Sequence, residues 1–358
     1  MKTIIFLISA FLCASCSVGQ ESINKNELST ISLEDAGFNR DSIQNLISEI
    51  SVTPQRNFRG LVVLKDNQIV IEEYFCGYGK GNILDIRSAG KSVTTLLLGI
   101  AIKEGLVDSL DQSLHSLFSK ENKRINEDYK SITLRNVLDM STGLDANSDD
   151  WNSYAHARKW IEKDNWKEFL LNIPKKSNPG KNFVYADIHP VLIGLAIEEA
   201  SGMSLKDYAQ KKLFEPLGIT QFYWFTNASN QTGAAGNLYI TTLDFAKFGA
   251  LVANEGKWGD EQIVPSNYVE SIINSKNTAI GDWFFLAQTY GMFWYKTTRK
   301  FAGKEREYLF ASGNGGNQLI VLPKENIVIA LGSGAYGQGY AHSRSYNFMK
   351  KILEALEE

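Results

Sequence analysis

Two apolar, β-rich runs, GLVVL from Gly60 and QIVIEEYF ending at Phe75, flank Lys65-Asp66-Asn67, whose last two residues tolerate positive φ; the pattern predicts a hairpin. After Ser88 comes KSVTTLLLGIAIKEGL, apolar on nearly every side and closed by Gly105, which reads as a helix buried in the interior. Residues 106 to about 235 read as mostly helical with long polar connections. There His189-Pro190 opens an amphipathic helix that Gly202 ends. A further helix from Leu243 to Glu255 has Thr241 and Asp244 as a capping pair. Strand patterns return in YGMFWY, EYLFA, NQLIVL and NIVIAL, and a helix from about Ser343 to Leu356 closes the chain. Early strands, a helical block and late strands predict one antiparallel sheet assembled from both ends of the chain. The expected class is α/β (α+β): an antiparallel β-sheet flanked by helices, with an inserted all-helical domain. Its α/β part covers about 36–105 and 236–358, and its helical part about 106–235. No internal repeat is visible.

Composition narrows the possibilities. The chain has 358 residues, 44% apolar and 22% charged, enough to bury a sizeable core. With 37 basic residues against 40 acidic ones there is no positive excess to neutralise a phosphate backbone, so nucleic acid is excluded as an expected partner. Three cysteines build neither a disulfide framework nor a four-thiolate metal site. Lys2 and the apolar run Ile4 to Leu12 form an export signal too short to span a bilayer. Cys13-Ala14-Ser15-Cys16 resembles a bacterial lipobox with Cys13 where leucine is usual. Residues 1–15 are therefore expected to be the signal, Cys16 the lipidated first mature residue, and 16–35 a tether. Simple signal cleavage is the alternative. Either way the protein is expected outside the cytoplasm, periplasmic or anchored in a cell envelope, touching the membrane only through that lipid.

Several chemistries lack their residues. There is no G-x-S-x-G elbow, H-E-x-x-H pair or P-loop, and His115, His156, His189 and His342 have no ligand spacing. No metal and no cofactor are expected. Gly332-Ser333-Gly334-Ala335-Tyr336-Gly337 fits G-x-G-x-x-G, but the chain left beyond it is too short for a dinucleotide-binding unit. What remains is Ser88-Ala89-Gly90-Lys91. Residues three apart share a helix face, so the Lys91 amine approaches the Ser88 hydroxyl. Desolvation and the helix dipole both favour a neutral amine there, which would act as a base on the serine. The same four-residue pattern at Ser22 to Lys25, in the expected tether, is accidental.

Two further segments carry candidate chemistry. Tyr185-Ala186-Asp187 stands directly before the helix opened by Pro190, and a phenol beside a lysine ammonium can relay the serine proton to a leaving group. Ala311-Ser312-Gly313-Asn314-Gly315-Gly316-Asn317 lies between two strand patterns. Its small residues let a substrate lie along the backbone, and an N–H there could join that of Ser88 as an oxyanion hole.

These elements, in this order and spacing, resemble the serine β-lactamase and penicillin-binding-protein superfamily, specifically its class C-like branch, from roughly Gly60 to the C-terminus. TLRNVLDMSTGL, VYADIHPVLIGLAIEEASG and GAAGNLYITTLDFAKFGALVANEGKW are similar to family segments too. The resemblance implies Ser88 as acylated nucleophile, Lys91 as its base partner and Tyr185 as proton shuttle. It also implies the Ser88 and Asn314 N–H groups as oxyanion hole, with Asp187, Ser312 and Gly313 against the substrate. Ala311 stands where these enzymes carry a cation that helps hold a substrate carboxylate, which argues against β-lactamase and D-Ala-D-Ala peptidase activity. FASGNGGNQLIVLP looks more like the esterase and 6-aminohexanoate-dimer hydrolase branch, with Asn317 replacing a glutamine. Asp187 replaces an asparagine; its carboxylate would raise the Lys91 pKa. The implied function is hydrolysis of a small ester, amide or peptide-like substrate through an acyl-enzyme. A β-lactamase or carboxypeptidase, and a catalytically silent envelope binding protein, are the alternatives. Asp145, Asn147, Asp149, Asp150, Trp151 and Tyr154 are candidates to line the cleft, and Trp283, Phe284 and Phe285 to form an apolar wall.

Overall fold

A computed structural model describes residues 28–118, 125–275 and 278–357. The signal segment and Cys16 lie outside the described residues. From Leu28 onward the expected tether is instead docked on the fold: Thr30 bridges Ile69, the Ile31 and Ile69 amides bond across the gap, and Leu28, Ile31 and Leu33 pack on the core. Burying these three apolar side chains gives the segment a reason to stay on the sheet edge. Helix α1 (Arg40–Val52) follows, capped by the Asn39 carboxamide accepting from the Ser42 N–H at 2.9 Å.

The predicted hairpin is β1 (Phe58–Lys65) and β2 (Gln68–Tyr74), turning through Asp66 and Asn67 at φ 49° and 61°. Next come the two-residue β3 (Leu84–Asp85) and the buried helix α2 (Lys91–Lys103), whose start is preceded by a 3₁₀ turn, Arg87–Gly90, carrying Ser88. In the expected helical part most helices are single turns: α3 (Leu114–Phe118), α4 (Leu134–Leu138) and α5 (Trp166–Leu170), against the fourteen residues of α6 (Ile188–Ser201). Helix α7 (Leu205–Ala209) and strand β4 (Phe222–Trp224) complete that region. The all-helical expectation therefore fails at β4, which pairs with β5 (Leu238–Ile240), itself paired with β3. This small sheet stitches the insert to the strand that leads into Ser88.

Helix α8 (Thr242–Ala253) starts at Thr241, whose hydroxyl accepts from the Asp244 N–H at 3.0 Å, as the capping pattern predicts. A short hairpin, β6 (Lys257–Trp258) and β7 (Glu261–Gln262), and helix α9 (Ser266–Ile273) lead back to the main sheet at β8 (Thr278–Ala279). YGMFWY is not one strand. It is a tight turn between β9 (Thr289–Gly291) and β10 (Trp294–Phe301), with Met292 and Phe293 at φ 54° and 59°. This chain reversal has no glycine or asparagine at either turn position, so it gave no sequence signal. Strands β11 (Lys304–Gly313), β12 (Asn317–Leu322) and β13 (Ile327–Ser333) and helix α10 (Ala341–Glu354) finish the chain.

The main sheet is antiparallel throughout, in the order β2-β1-β13-β12-β11-β10-β9-β8. Side chains alternate across it. Gly332 faces Thr242 of α8, whereas the next residue, Ser333, takes a 2.7 Å bond from Arg344 of α10; the two helices thus cover opposite faces. A Cβ at Gly249 on α8 would stand 2.5 Å from Val328 and 2.9 Å from Leu319, so that helix lies as close to the sheet as its backbone permits. We predict that Gly249→Ala overpacks this seam and lowers unfolding free energy by about 1–3 kcal/mol, read as a shifted urea midpoint at constant slope.

Candidate active site

Ser88 and Lys91 meet because the chain tightens to 3₁₀ geometry just before α2, bringing residues three apart face to face. The turn enters under constraint: Arg87 has φ 53°, and its N–H donates to the Asp85 carboxylate at 2.8 Å. The Lys91 Nζ donates to Ser88 Oγ at 2.9 Å and to the Ala235 carbonyl at 2.6 Å, and pairs with Asp187 Oδ1 at 2.9 Å. With the Tyr185 phenol as a further hydrogen-bond partner, the amine is surrounded by acceptors, which an ammonium with its three N–H bonds satisfies better than a neutral amine. The group is 1% exposed. Burial alone would push its pKa down, yet the Asp187 carboxylate and the Tyr185 phenol outweigh burial and hold it above the ordinary lysine value. Of the two opposing expectations for this amine, neutral by desolvation or held charged by the carboxylate in the asparagine position, the second prevails. Ser88 therefore rests against a cation.

Tyr185 lies beside that cation, its ring centroid 5.1 Å from Nζ. The loop after the Ser141-Thr142-Gly143 turn fixes the tyrosine segment, because the Ser148 N–H donates to the Tyr185 carbonyl at 2.9 Å and the Ser148 hydroxyl accepts from the Asp187 N–H at 3.0 Å. Thr142 in turn bonds His189 at 2.9 Å across the start of α6, and burial pushes the His189 pKa down to about 3. This neutral histidine locks a turn to a helix.

The end of β11 closes the other side. A Cβ on Gly313 would lie 2.0 Å from the Ile86 carbonyl and 3.1 Å from the Ala89 nitrogen, so only glycine lets the strand end press on the turn that carries Ser88. The Ser312 hydroxyl is directed to His342 Nδ1 of α10 at 3.3 Å. Ala311 is buried and supplies no charge. Thus Ser88, Lys91, Tyr185 and Asp187 converge, and Gly313 abuts them.

Of the cleft candidates, Asn147 and Asp149 line a cavity of about 360 Å³ next to Tyr185, together with Phe183, Lys181, Ile280 and Trp283. The Trp283 indole stacks on the Tyr185 ring at 4.7 Å and donates to Asp149 Oδ2 at 2.7 Å. Trp151 packs under Arg158 and Tyr154 on Phe169, outside this cavity; Phe284 packs on Tyr295 and His342, and Phe285 is exposed. Sequence reasoning missed the Ala235 carbonyl, because a backbone acceptor has no residue-type signature, and Ser148, whose role depends on a loop conformation.

A long antiparallel sheet, a helical insert and a serine–lysine turn opening a buried helix define the β-lactamase and transpeptidase architecture. The chain belongs to the Beta-lactamase family, whose model matches residues 43–343. Among solved structures, a penicillin-binding protein homologue from Caulobacter crescentus superposes with a TM-score of 0.69 at 14% identity, over 88% of this chain and 97% of that one. The chain is 22% identical to the 6-aminohexanoate-dimer hydrolase of Paenarthrobacter ureafaciens over 287 residues, 75% of this chain and 70% of that protein. It is 27% identical to the lovastatin esterase of Penicillium rubens over 229 residues, 49% of this chain and 56% of the esterase. The match thus spans little more than half of that relative.

Removing the Asp187 charge isolates its effect on Lys91. Because the folded-state pKa is raised, the ion pair's stabilising contribution is complete below the ordinary lysine value and is lost as pH climbs through the raised one. We predict that Asp187→Asn brings the alkaline limb of the kcat/KM profile to lower pH, checked by ester hydrolysis across a pH series; an unmoved limb would show that Lys91 does not titrate in it.

Proposed function

We propose that this chain is a serine hydrolase that forms an acyl-enzyme on Ser88 and cleaves small esters or amides. The observation that carries this reading is the 2.9 Å contact between a buried, fully bonded Lys91 ammonium and Ser88 Oγ. A cation donating to that oxygen stabilises the alkoxide that develops during attack, in a water-poor site where the interaction is strong. As Ser88 Oγ bonds to the substrate carbonyl carbon, its proton passes to the Tyr185 oxygen and Tyr185 gives its own proton to the leaving group. The Ser88 and Asn314 N–H groups hold the oxyanion. Water then attacks the acyl carbon, and its proton returns through Tyr185 to Ser88. Lys91 remains an ammonium throughout.

Ala311 supports an esterase or amidase over a β-lactamase or carboxypeptidase, since the strand edge offers no cation for a substrate carboxylate. The dimer hydrolase and the esterase among its relatives favour the same reading. The N-terminal export signal read from the sequence, with lipidation at Cys16 or simple cleavage, supports a reaction at a cell envelope. The Lys91–Asp187 pair favours one rival, a silent binding protein, because it withholds a neutral amine from the serine.

Ser88→Ala is expected to abolish both turnover of a short-chain nitrophenyl ester and labelling by a fluorophosphonate. A wild type that never labels would favour the binding protein. Cephalosporin hydrolysis faster than ester hydrolysis by the wild type would replace the esterase reading with a β-lactamase.

A further inference from the structure

The segment Gly332 to Gly337, which fits a nucleotide motif in sequence, lies beside the nucleophile turn and the loop that bears Asn314. Every residue of that loop is held from the C-terminal side. Asn314 Oδ1 accepts from the Gly337 N–H at 2.7 Å. Gly315, at φ 90°, lies under the Tyr336 ring so closely that a Cβ would stand 2.7 Å from Cδ1. The Gly316 carbonyl accepts from Ser345 of α10 at 2.6 Å, and the buried Asn317 carboxamide accepts from the Ser333 N–H at 2.9 Å.

The same tyrosine reaches the nucleophile turn. Its hydroxyl donates to the Asp85 carbonyl at 2.8 Å, and the Arg87 guanidinium sits 4.6 Å above its ring while lying 3.1 Å from the Asp85 carboxylate. Asn317 closes the circuit, its Nδ2 donating to the Asn314 carbonyl at 2.9 Å and reaching the Asp85 carbonyl at 3.4 Å. Asp85 stands three residues before Ser88. One carbonyl thus ties the two backbone segments whose amides must point at the same oxygen.

We propose that Tyr336 is a positioning residue that sets the spacing between the Ser88 and Asn314 N–H groups, with the Gly332 to Gly337 segment as the brace of the oxyanion hole. This rests on the assignment of those two amides under the proposed function. Its ring supports Gly315 from one side, and its hydroxyl anchors the strand before Ser88. An oxyanion hole gains its effect from donors already in place, and a displacement of about 1 Å costs on the order of a hundredfold in rate. Loss of the ring should therefore act on kcat and leave ground-state binding alone.

The test is ester hydrolysis by wild type, Tyr336→Ala and Tyr336→Phe, together with the affinity of a phenylboronic acid, whose tetrahedral adduct on Ser88 places an oxygen in the hole. Tyr336→Ala is expected to lose roughly tenfold to a hundredfold in kcat with KM within about twofold, and boronate affinity should fall in parallel. Tyr336→Phe keeps the ring and should recover most of that loss. Amide exchange at Gly315 and Gly316 should quicken in Tyr336→Ala and not in Tyr336→Phe. If the alanine variant fails to fold, a Tyr336→Leu variant takes its place with the same expectation. An active wild type with alanine or leucine variants unchanged in kcat and boronate affinity would overturn this inference alone. A wild type that neither turns over ester nor binds boronate would overturn the proposed function and the oxyanion assignment with it.

Discussion

The buried Lys91 ammonium organises the candidate site. The Lys91 ammonium bonds to groups from different parts of the chain: the turn before α2, the segment entering β5, and the start of α6. Burying that charge without partners would cost several kcal/mol. The insert and the sheet are therefore obliged to meet at this point, and the groove between them is fixed by the meeting. The Ser148 contacts to Tyr185 and Asp187, and the Thr142 bond to His189, hold the α6 side in register. Gly313 and the Tyr336 brace hold the β11 side.

The charge balance also distinguishes the chain from the pattern its motifs resemble. An asparagine beside the lysine would leave burial to push the amine toward neutrality. The aspartate instead favours the proton on Lys91, so in the proposed reaction Ser88 is served by a cation and a tyrosine relay rather than by a lysine base. The carboxylate at Asp187 is matched by the Lys91 ammonium at 2.9 Å, so the exchange of asparagine for aspartate changes the protonation of the lysine rather than the net charge of the groove.

Much of this was legible in the sequence, for identifiable reasons. The hairpin at Asp66-Asn67, the fully apolar α2, the capped α8 and the glycine stop of α6 each carry a local signal, and in each the tertiary structure agrees with it. Ser88, Lys91 and Tyr185 were legible as a set because spacing and setting reinforce one another. What could not be read depends on the fold. The Met292-Phe293 reversal is stabilised from outside, by the Leu138 carbonyl and the Asp139 carboxylate accepting from its two amides, so its residues need no turn preference of their own. Sequence offered two opposing effects on Lys91, desolvation and the Asp187 carboxylate, and choosing between them required knowing that Asp187 lies 2.9 Å away. Trp283 and Tyr336 look like ordinary aromatics until the chain places one on Tyr185 and the other on Gly315.

The central claim is that the oxygen held by Lys91 is the one that attacks. Rapid quenching of the wild type with a short-chain nitrophenyl ester, followed by peptide mass spectrometry, tests it most directly. One acyl group per chain is expected, on the peptide bearing Ser88 and on that side chain. An acyl group on another residue, or nitrophenol released with no Ser88 adduct at any quench time, would contradict it.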